Sequence, residues 1–309
     1  MKALVLSGGG SKGAWQIGVL KYFQQQNLYV EGFDIICGTS VGAINAAGLS
    51  QFQKGFFHEG ISYCEDIWMR EVVKTSSIWH WRFPRYIAGF WNKSLGDTKG
   101  LRKILEKNID PRSIRDSGIK LRIPAVNLVD GNLTYFNEEF PNIVEAIMAS
   151  AAFPIFFPPV RINSGLYLDG GIRDIAPLKA AIKEGATEIV VLSTENPYAI
   201  KPKSNIGNVT SVAFRTIEII MNEILLNDIK RCLKVNYKIQ NGTMKSNGKK
   251  VINIKVYFPI HPLVRPLDFN KKLIEANITS GYNDAKFIHN RSDSSGCLLS
   301  KTLGTCASS

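Results

Sequence analysis

Apolar residues in the first fifty positions come in short runs separated by glycine- and asparagine-rich breaks. Residues 3–6 are uninterruptedly apolar and stop at Ser7 and three glycines, the pattern of a short strand covered on both faces. Over residues 14–25, Trp15, Ile17, Val19, Leu20, Tyr22 and Phe23 recur at helical spacing, and Asn27 closes the run. Ile35-Ile36-Cys37 reads as a second strand, and a helix is expected from Val41 to about Leu49. Strand, glycine loop, helix, strand, sharp turn and helix form a β-α-β-α start to a parallel sheet, and so an α/β fold.

Beyond residue 100 the same patterning continues. It predicts a helix around 101–105, a strand over 120–129, a turn at Asp130-Gly131-Asn132 and a returning strand over 133–136. A helix follows over 143–152, closed by Phe153-Pro154, then a strand over 165–168 that ends at Asp169-Gly170-Gly171. A helix over 177–184, a strand over 188–193, a long amphipathic helix over 213–234 and a strand over 251–258 complete the pattern. Residues 290–309, rich in Ser, Gly and Cys, read as a weakly structured tail after a single domain spanning 1–289.

Residues 51–100 break this rhythm. Phe52, Phe56, Phe57, Trp68, Trp79, Trp81, Phe83, Tyr86, Phe90 and Trp91 are interleaved there with Arg70, Lys74, Arg82, Arg85 and Lys93. Two readings stand side by side. Either the aromatics fill the core of a helical insertion, or the insertion caps the active site and meets a lipid interface.

Charge sharpens the second reading. The net charge is +12, and it is concentrated in two blocks. Residues 70–122 carry thirteen Lys/Arg against five Asp/Glu, and residues 230–272 carry eleven against Asp268 alone. Such blocks are either solvated faces or attractors for an anionic surface, phospholipid or nucleic acid. No nucleic-acid module is recognisable, so no nucleic-acid partner is expected. Hydrophobic content of 45% and charged content of 21% are ordinary for a globular protein. Neither a secretory leader nor a transmembrane run is expected from the pattern. The five scattered cysteines lack metal-type spacing, and their odd number points to reduced thiols in the cytoplasm.

The candidate chemistry begins at Gly38-Thr39-Ser40-Val41-Gly42, a G-x-S-x-G pentapeptide between a predicted strand and a predicted helix. A sharp strand-to-helix turn presents its serine in a strained conformation, with the helix N-terminus favouring negative charge. Ser40 is the candidate nucleophile, against the plainer alternative that it only caps the next helix. Upstream, Gly8-Gly9-Gly10-Ser11-Lys12-Gly13 can converge backbone N–H groups on one anionic point. The same six residues match the dinucleotide fingerprint G-x-G-x-x-G. That reading needs an acidic residue at the end of the second strand, and Gly38-Thr39-Ser40 stands there instead.

A nucleophilic serine needs a base. Four histidines are available, His58, His80, His261 and His289, and the order Ser40, Asp169, His261 would suit an α/β-hydrolase-like esterase. His261 lies in the extended stretch Phe258-Pro259-Ile260-His261-Pro262, and the elbow comes after the second strand, earlier than that fold places it. Asp169 is the better-placed base. It closes a strand and is followed by Gly170-Gly171, which turn the chain away, and burial can raise its pKa enough for it to accept a proton. Its plainer role is to cap the next turn.

In this order, Gly8-Gly9-Gly10-Ser11-Lys12-Gly13, Gly38-Thr39-Ser40-Val41-Gly42 and Asp169-Gly170-Gly171 resemble the patatin-like phospholipase family. Ser150-Ala151-Ala152-Phe153-Pro154 and Phe157-Pro158-Pro159 fit as well, and the resemblance covers roughly residues 1–195. It implies a three-layer α/β/α fold with a mainly parallel central sheet. It also implies a lipid acyl hydrolase, of phospholipase A or lysophospholipase type, with no metal or organic cofactor. By motif match Ser40 would be the nucleophile and Asp169 its base. Gly8 to Gly13 would form the oxyanion loop, chiefly through Gly9 and Gly10, and Lys12 would hold the loop or meet a phosphate. The implied substrate is an acyl-ester lipid, and the basic blocks and aromatic segment add the expectation of a transient anionic membrane surface, to which the protein would bind peripherally. One departure stands out: where the family often reads Asp-Asn-x-Pro, this chain has Asp174-Ile175-Ala176-Pro177 and so lacks an amide. A non-catalytic membrane-binding protein on the same fold remains the alternative of a different class.

Overall fold

The computed structural model describes residues 1–81, 94–196, 207, 209–243, 250–263 and 266–295. Its core is a sheet of eight strands. Along the main path the order is β10 (Asn253–Tyr257), β9 (Glu188–Leu192), β1 (Lys2–Leu6), β2 (Ile35–Gly38), β5 (Lys120–Asn127), β8 (Gly165–Asp169) and β7 (Val160–Ile162), and β6 (Leu133–Asn137) also pairs with β5. From β10 to β5 every pairing is parallel, while β6, β8 and β7 join antiparallel. Two further strands, β3 (His80–Trp81) and β4 (Gly96–Asp97), form a separate ribbon.

Alternation along the strands separates two cores, because successive side chains leave a strand on opposite faces. Leu4, Leu6, Ile36, Val190 and Leu192 face one apolar cluster, and Ala3, Val5, Ile35, Cys37, Ile189 and Val191 face the other. The first is covered by α1 (Gly13–Gln25), α2 (Val41–Leu49), α3 (Phe57–Glu71), α7 (Ile143–Ser150) and α10 (Lys271–Ser295). The second is covered by α8 (Leu178–Lys183) and by α9 (Val209–Gln240). The three-layer α/β/α arrangement expected from the sequence is therefore present. Among the described residues, the remaining helices are α4 (Thr75–Ile78), α5 (Lys99–Asn108) and α6 (Pro111–Asp116).

Three expectations are modified. The helix predicted over 213–234 runs from Val209 to Gln240, and α10 continues through the start of the presumed tail to Ser295. Asp169 does close a strand, but β8 runs antiparallel to its neighbour β5, outside the parallel part of the sheet. In the aromatic segment, Phe57, Trp68 and Trp79 are buried in the main core, with the Trp68 indole donating to Asn45 Oδ1 (2.9 Å) and the Trp79 indole to the Leu267 carbonyl (3.3 Å). These rings are structural. Phe83, Tyr86, Phe90 and Trp91, with Arg82, Arg85 and Lys93, lie outside the described residues.

Helix α1 is buried almost all round and serves as the central rod of one layer. It meets α10 through glycines on both sides. A Cβ on Gly18 would lie 1.9 Å from the Ile278 carbonyl oxygen, and one on Gly281 would lie 2.0 Å from that of Trp15. The Trp15 indole donates to Asp284 (2.8 Å) across the same crossing, and Asn277 donates to the Ser11 carbonyl (3.3 Å) at its end. The C-terminal helix thereby fixes the rod that carries the glycine loop. Gly18→Ala and Gly281→Ala should each destabilise the fold by about 1–3 kcal/mol or more, because the clash is with backbone. The check is thermal unfolding, where each variant should melt at least ~2–4 °C lower than wild type.

Candidate active site

Register brings three loops to one edge of the sheet. Leu6 pairs with Gly38 on one side and Leu192 on the other, so the chain leaves β1, β2 and β9 at the same level. The loop after β1 is the glycine run, the loop after β2 is the elbow, and the loop after β9 is Ser193-Thr194-Glu195.

Ser40 has φ 56° and ψ −123°, a strained combination for a residue with a side chain. It occupies the N-cap position of α2, but its side chain makes no capping hydrogen bond, so the plain capping role is not what holds it there. The turn is set by its neighbours. Thr39 N–H donates to the Leu6 carbonyl (3.1 Å), and Thr39 Oγ1 donates to the Asp174 carbonyl (2.9 Å). Gly38 and Gly42 are required by space: a Cβ would come within 2.1 Å of the Gly42 oxygen and 2.3 Å of the Leu6 oxygen, respectively. Val41 is buried against the core below.

Asp169 reaches the same point from β8. It faces Ala125 of β5, the strand beside β2, and its carboxyl lies close enough to Ser40 to interact with the Ser40 hydroxyl. The end of α7 ties the two together. Ser150 Oγ accepts the Ser40 N–H (3.0 Å), and the Ala152 carbonyl accepts the Asp169 N–H (3.1 Å). Gly170 and Gly171 again answer a need for space, with a Cβ on Gly170 falling 2.4 Å from the Pro124 oxygen.

The Asp169 carboxyl is wholly buried. Oδ1 accepts the Gly171 N–H (2.8 Å), while Oδ2 has no hydrogen-bond partner of regular geometry among the described residues. Burial raises its pKa to about 7, against weaker opposing pulls from the Gly171 N–H and the Ser40 hydroxyl.

The glycine loop packs beside Ser40, with Gly8 so close that a Cβ there would lie 3.1 Å from the Ser40 Cβ. Most of its N–H groups are committed. Gly8 donates to the Ile175 carbonyl (3.1 Å), Ser11 to Pro266 (2.8 Å), Lys12 to Gly9 (3.3 Å), and Gly13 to the carbonyls of Gly10 and Ser11. The N–H groups of Gly9 and Gly10 make no hydrogen bond to any described residue. Both glycines have positive φ, 154° and 59°, which turns these N–H groups away from the ladder. Lys12 is buried, and its ammonium pairs with Glu195 and, at 3.6 Å, with Glu218 of α9. Two carboxylates thus occupy the cation that could have met a phosphate.

Ser40, Asp169, Gly8, Gly9, Gly10 and Lys12 all line one cleft that opens to solvent. Its far walls are apolar: Phe153, Phe157, Phe214, Met221, Leu225 and Phe269. Three of these, Phe214, Met221 and Leu225, come from α9, which roofs the cleft. No residue of 51–81 or 94–100 lines it, so the described part of the aromatic segment is not the cap. None of the four histidines lines it either, and His261 is exposed. Ile175, in place of the family's amide, contributes a side chain to the cleft wall and a carbonyl to the Gly8 N–H.

A second buried carboxyl, Asp174, lies behind the elbow. Its Oδ2 accepts the Tyr135 hydroxyl and its Oδ1 is unpartnered among the described residues. Burial raises its pKa to about 7; the Tyr135 hydroxyl and Lys179 pull it down, and Asp228 pushes it up. Sequence patterning gave no hint of Tyr135, Glu195 or Glu218, whose partners at the site, Asp174 and Lys12, are distant in the chain, and it met Asp174 only in the stretch that departs from the family's pattern. Only the long helical period hinted at the roof.

Both raised carboxyls bind a proton more tightly in the folded chain than in the unfolded one. Their protonated forms favour folding fully below pH ~4, and this contribution is lost as pH rises to about 7. Urea midpoints should therefore fall between pH 5 and pH 8. Asp174→Asn, which keeps an acceptor for Tyr135, should flatten that slope; an unchanged slope would mean that the carboxyl is not buried as described.

A family model described as patatin-like phospholipase matches residues 4–182. A cGAMP-activated phospholipase of Pseudomonas aeruginosa is 30% identical over 190 residues, 56% of this chain and 53% of that protein. The calcium-independent phospholipase A2-gamma of Mus musculus is 25% identical over 206 residues, 60% of this chain and 26% of that protein. The chain spans about half the length of the first of these and a quarter of the second. Among solved structures, VipD from Legionella pneumophila shares the fold, with a TM-score of 0.50 at 14% identity, covering 94% of this chain and 67% of that one. With the matched segment taking in the glycine loop, the serine elbow and the Asp-Gly-Gly turn, the chain belongs to the patatin-like phospholipase family.

Proposed function

We propose that this protein is a lipid acyl hydrolase working through a Ser40–Asp169 dyad. The observation that carries this reading is the unpartnered, buried Oδ2 of Asp169 on the wall of the cleft that also holds the strained Ser40. Asp169 accepts the Ser40 hydroxyl proton as Oγ attacks the ester carbonyl. A pKa of about 7 suits a base at neutral pH. The N–H groups of Gly9 and Gly10 donate to the oxyanion as it forms, and the α2 N-terminus adds favourable potential. Collapse of the tetrahedral intermediate passes the proton from Asp169 to the departing alcohol oxygen and leaves an acyl-Ser40 ester. Asp169 then deprotonates a water, which attacks that ester and releases the fatty acid, and the proton returns to Ser40. The phenylalanine-rich inner wall suits the acyl chain of the substrate.

Ser40→Ala and Asp169→Asn should each lower kcat/KM on a short-chain ester by at least about a thousandfold without a matching loss of stability. His261→Ala should retain most of the activity. In the wild type, kcat/KM should rise roughly tenfold per pH unit below pH ~7 and level off above it, as Asp169 must be ionised to act. Activity retained by Ser40→Ala would overturn the reading.

A further inference from the structure

Helix α9 has two faces with different contents. Its inner face supplies Phe214, Met221 and Leu225 to the cleft and packs Leu225 and Ile229 into the core. Its outer face, traced at helical spacing, changes character along its length. Over the first turns it presents Val209, Val212, Ile219 and Ile220, which are 84%, 50%, 42% and 49% exposed. Thr216 lies among them. Glu223 and Asn227, bonded to each other (3.0 Å), mark the middle. Past them the same face turns basic, with Lys230, Arg231 and Lys234 exposed and Tyr237 66% exposed.

Isolated exposed apolar residues call for no explanation, but four on one stripe of the helix that also walls an apolar cleft do. We infer that the outer face of α9 docks on an anionic phospholipid bilayer, with Val209, Val212, Ile219 and Ile220 entering the interfacial layer and Lys230, Arg231 and Lys234 meeting head-group phosphates. The inference rests on the proposed lipid hydrolysis, because it explains how the cleft reaches its substrate. An amphipathic helix with an apolar stripe and basic residues is the usual form of such a contact. Charge selects this occupant. A second copy of a chain with net charge +12 would bring like charge against the basic end, whereas anionic head groups neutralise it. The geometry is economical: with its outer face on the membrane, the helix keeps its inner face on the cleft.

The test uses the full chain and vesicles of phosphatidylcholine with or without phosphatidylglycerol, read by co-sedimentation, alongside hydrolysis of a soluble short-chain ester. Wild type should bind the anionic vesicles, bind less as salt rises, and bind neutral vesicles poorly. The triple variant Lys230→Ser, Arg231→Ser, Lys234→Ser should weaken binding roughly a hundredfold. The pair Ile219→Ser, Ile220→Ser should weaken it about tenfold. Both should hydrolyse the soluble ester as wild type does, which shows that they are folded. Variants that bind like wild type would overturn the inference, as would a dimer burying this face with no vesicle binding. Failure of soluble-ester hydrolysis by wild type would instead overturn the proposed function, with vesicle binding still read independently.

Discussion

The carbonyl oxygen of Leu6 is the point on which the site depends. It ends β1, accepts the Thr39 N–H, and lies so near α2 that residue 42 has no room for a Cβ. Two backbones touch there without side chains between them. Because contact at this range does not flex, the glycine loop and the serine elbow are held as one rigid piece. The loop after β9 locks the other flank, where the Thr194 hydroxyl donates to the Gly8 carbonyl and Thr194 N–H donates to Ser7 Oγ (2.9 Å). Polar groups inside α1 close the assembly: Gln16 donates to the Ser7 and Leu192 carbonyls and accepts from Asn45, which in turn accepts from Trp68. Such a network is fully satisfied, so it specifies geometry instead of costing stability.

The proposed dyad needs a second tether, because Asp169 arrives on a strand that runs the other way. The three residues Ser150 to Ala152 provide it, one reaching Ser40 and another Asp169. Small side chains matter at this place, since anything larger would hold the two apart. The strain at Ser40 is thus balanced by hydrogen bonds from three directions: Leu6, Ser150 and Asp174.

What was legible in the sequence was what is local. Ser40 and Asp169 sit in pentapeptide and tripeptide turns whose glycines are dictated by contacts within one turn or to the adjacent strand. The order of strands and helices around them follows from hydrophobic period. The unread parts depend on distant partners. Lys12 looks like a phosphate ligand in its loop, but Glu195 and Glu218 neutralise it from more than 180 positions away. The tryptophans at 68 and 79, set among basic residues, read equally well as core or as membrane-facing. Their indole N–H groups decide for core by finding Asn45 and the Leu267 carbonyl. The antiparallel approach of β8 was likewise invisible, since strand direction is set by pairing and not by composition.

The crossing of α1 and α10 through Gly18 and Gly281 bears on where the folding unit ends. The family match stops at 182, yet the sheet it leaves would lack β9, one of the two strands that flank β1, and α1 would lose the helix pressed against its backbone. Residues 188–257 and 271–295 are therefore not an appendage that could be trimmed or exchanged between relatives. The motif-bearing region is one part of a structure that the later strands and helix close, so a shortened chain cut at the family boundary would keep Ser40 and Asp169 and lose the packing that holds them in place.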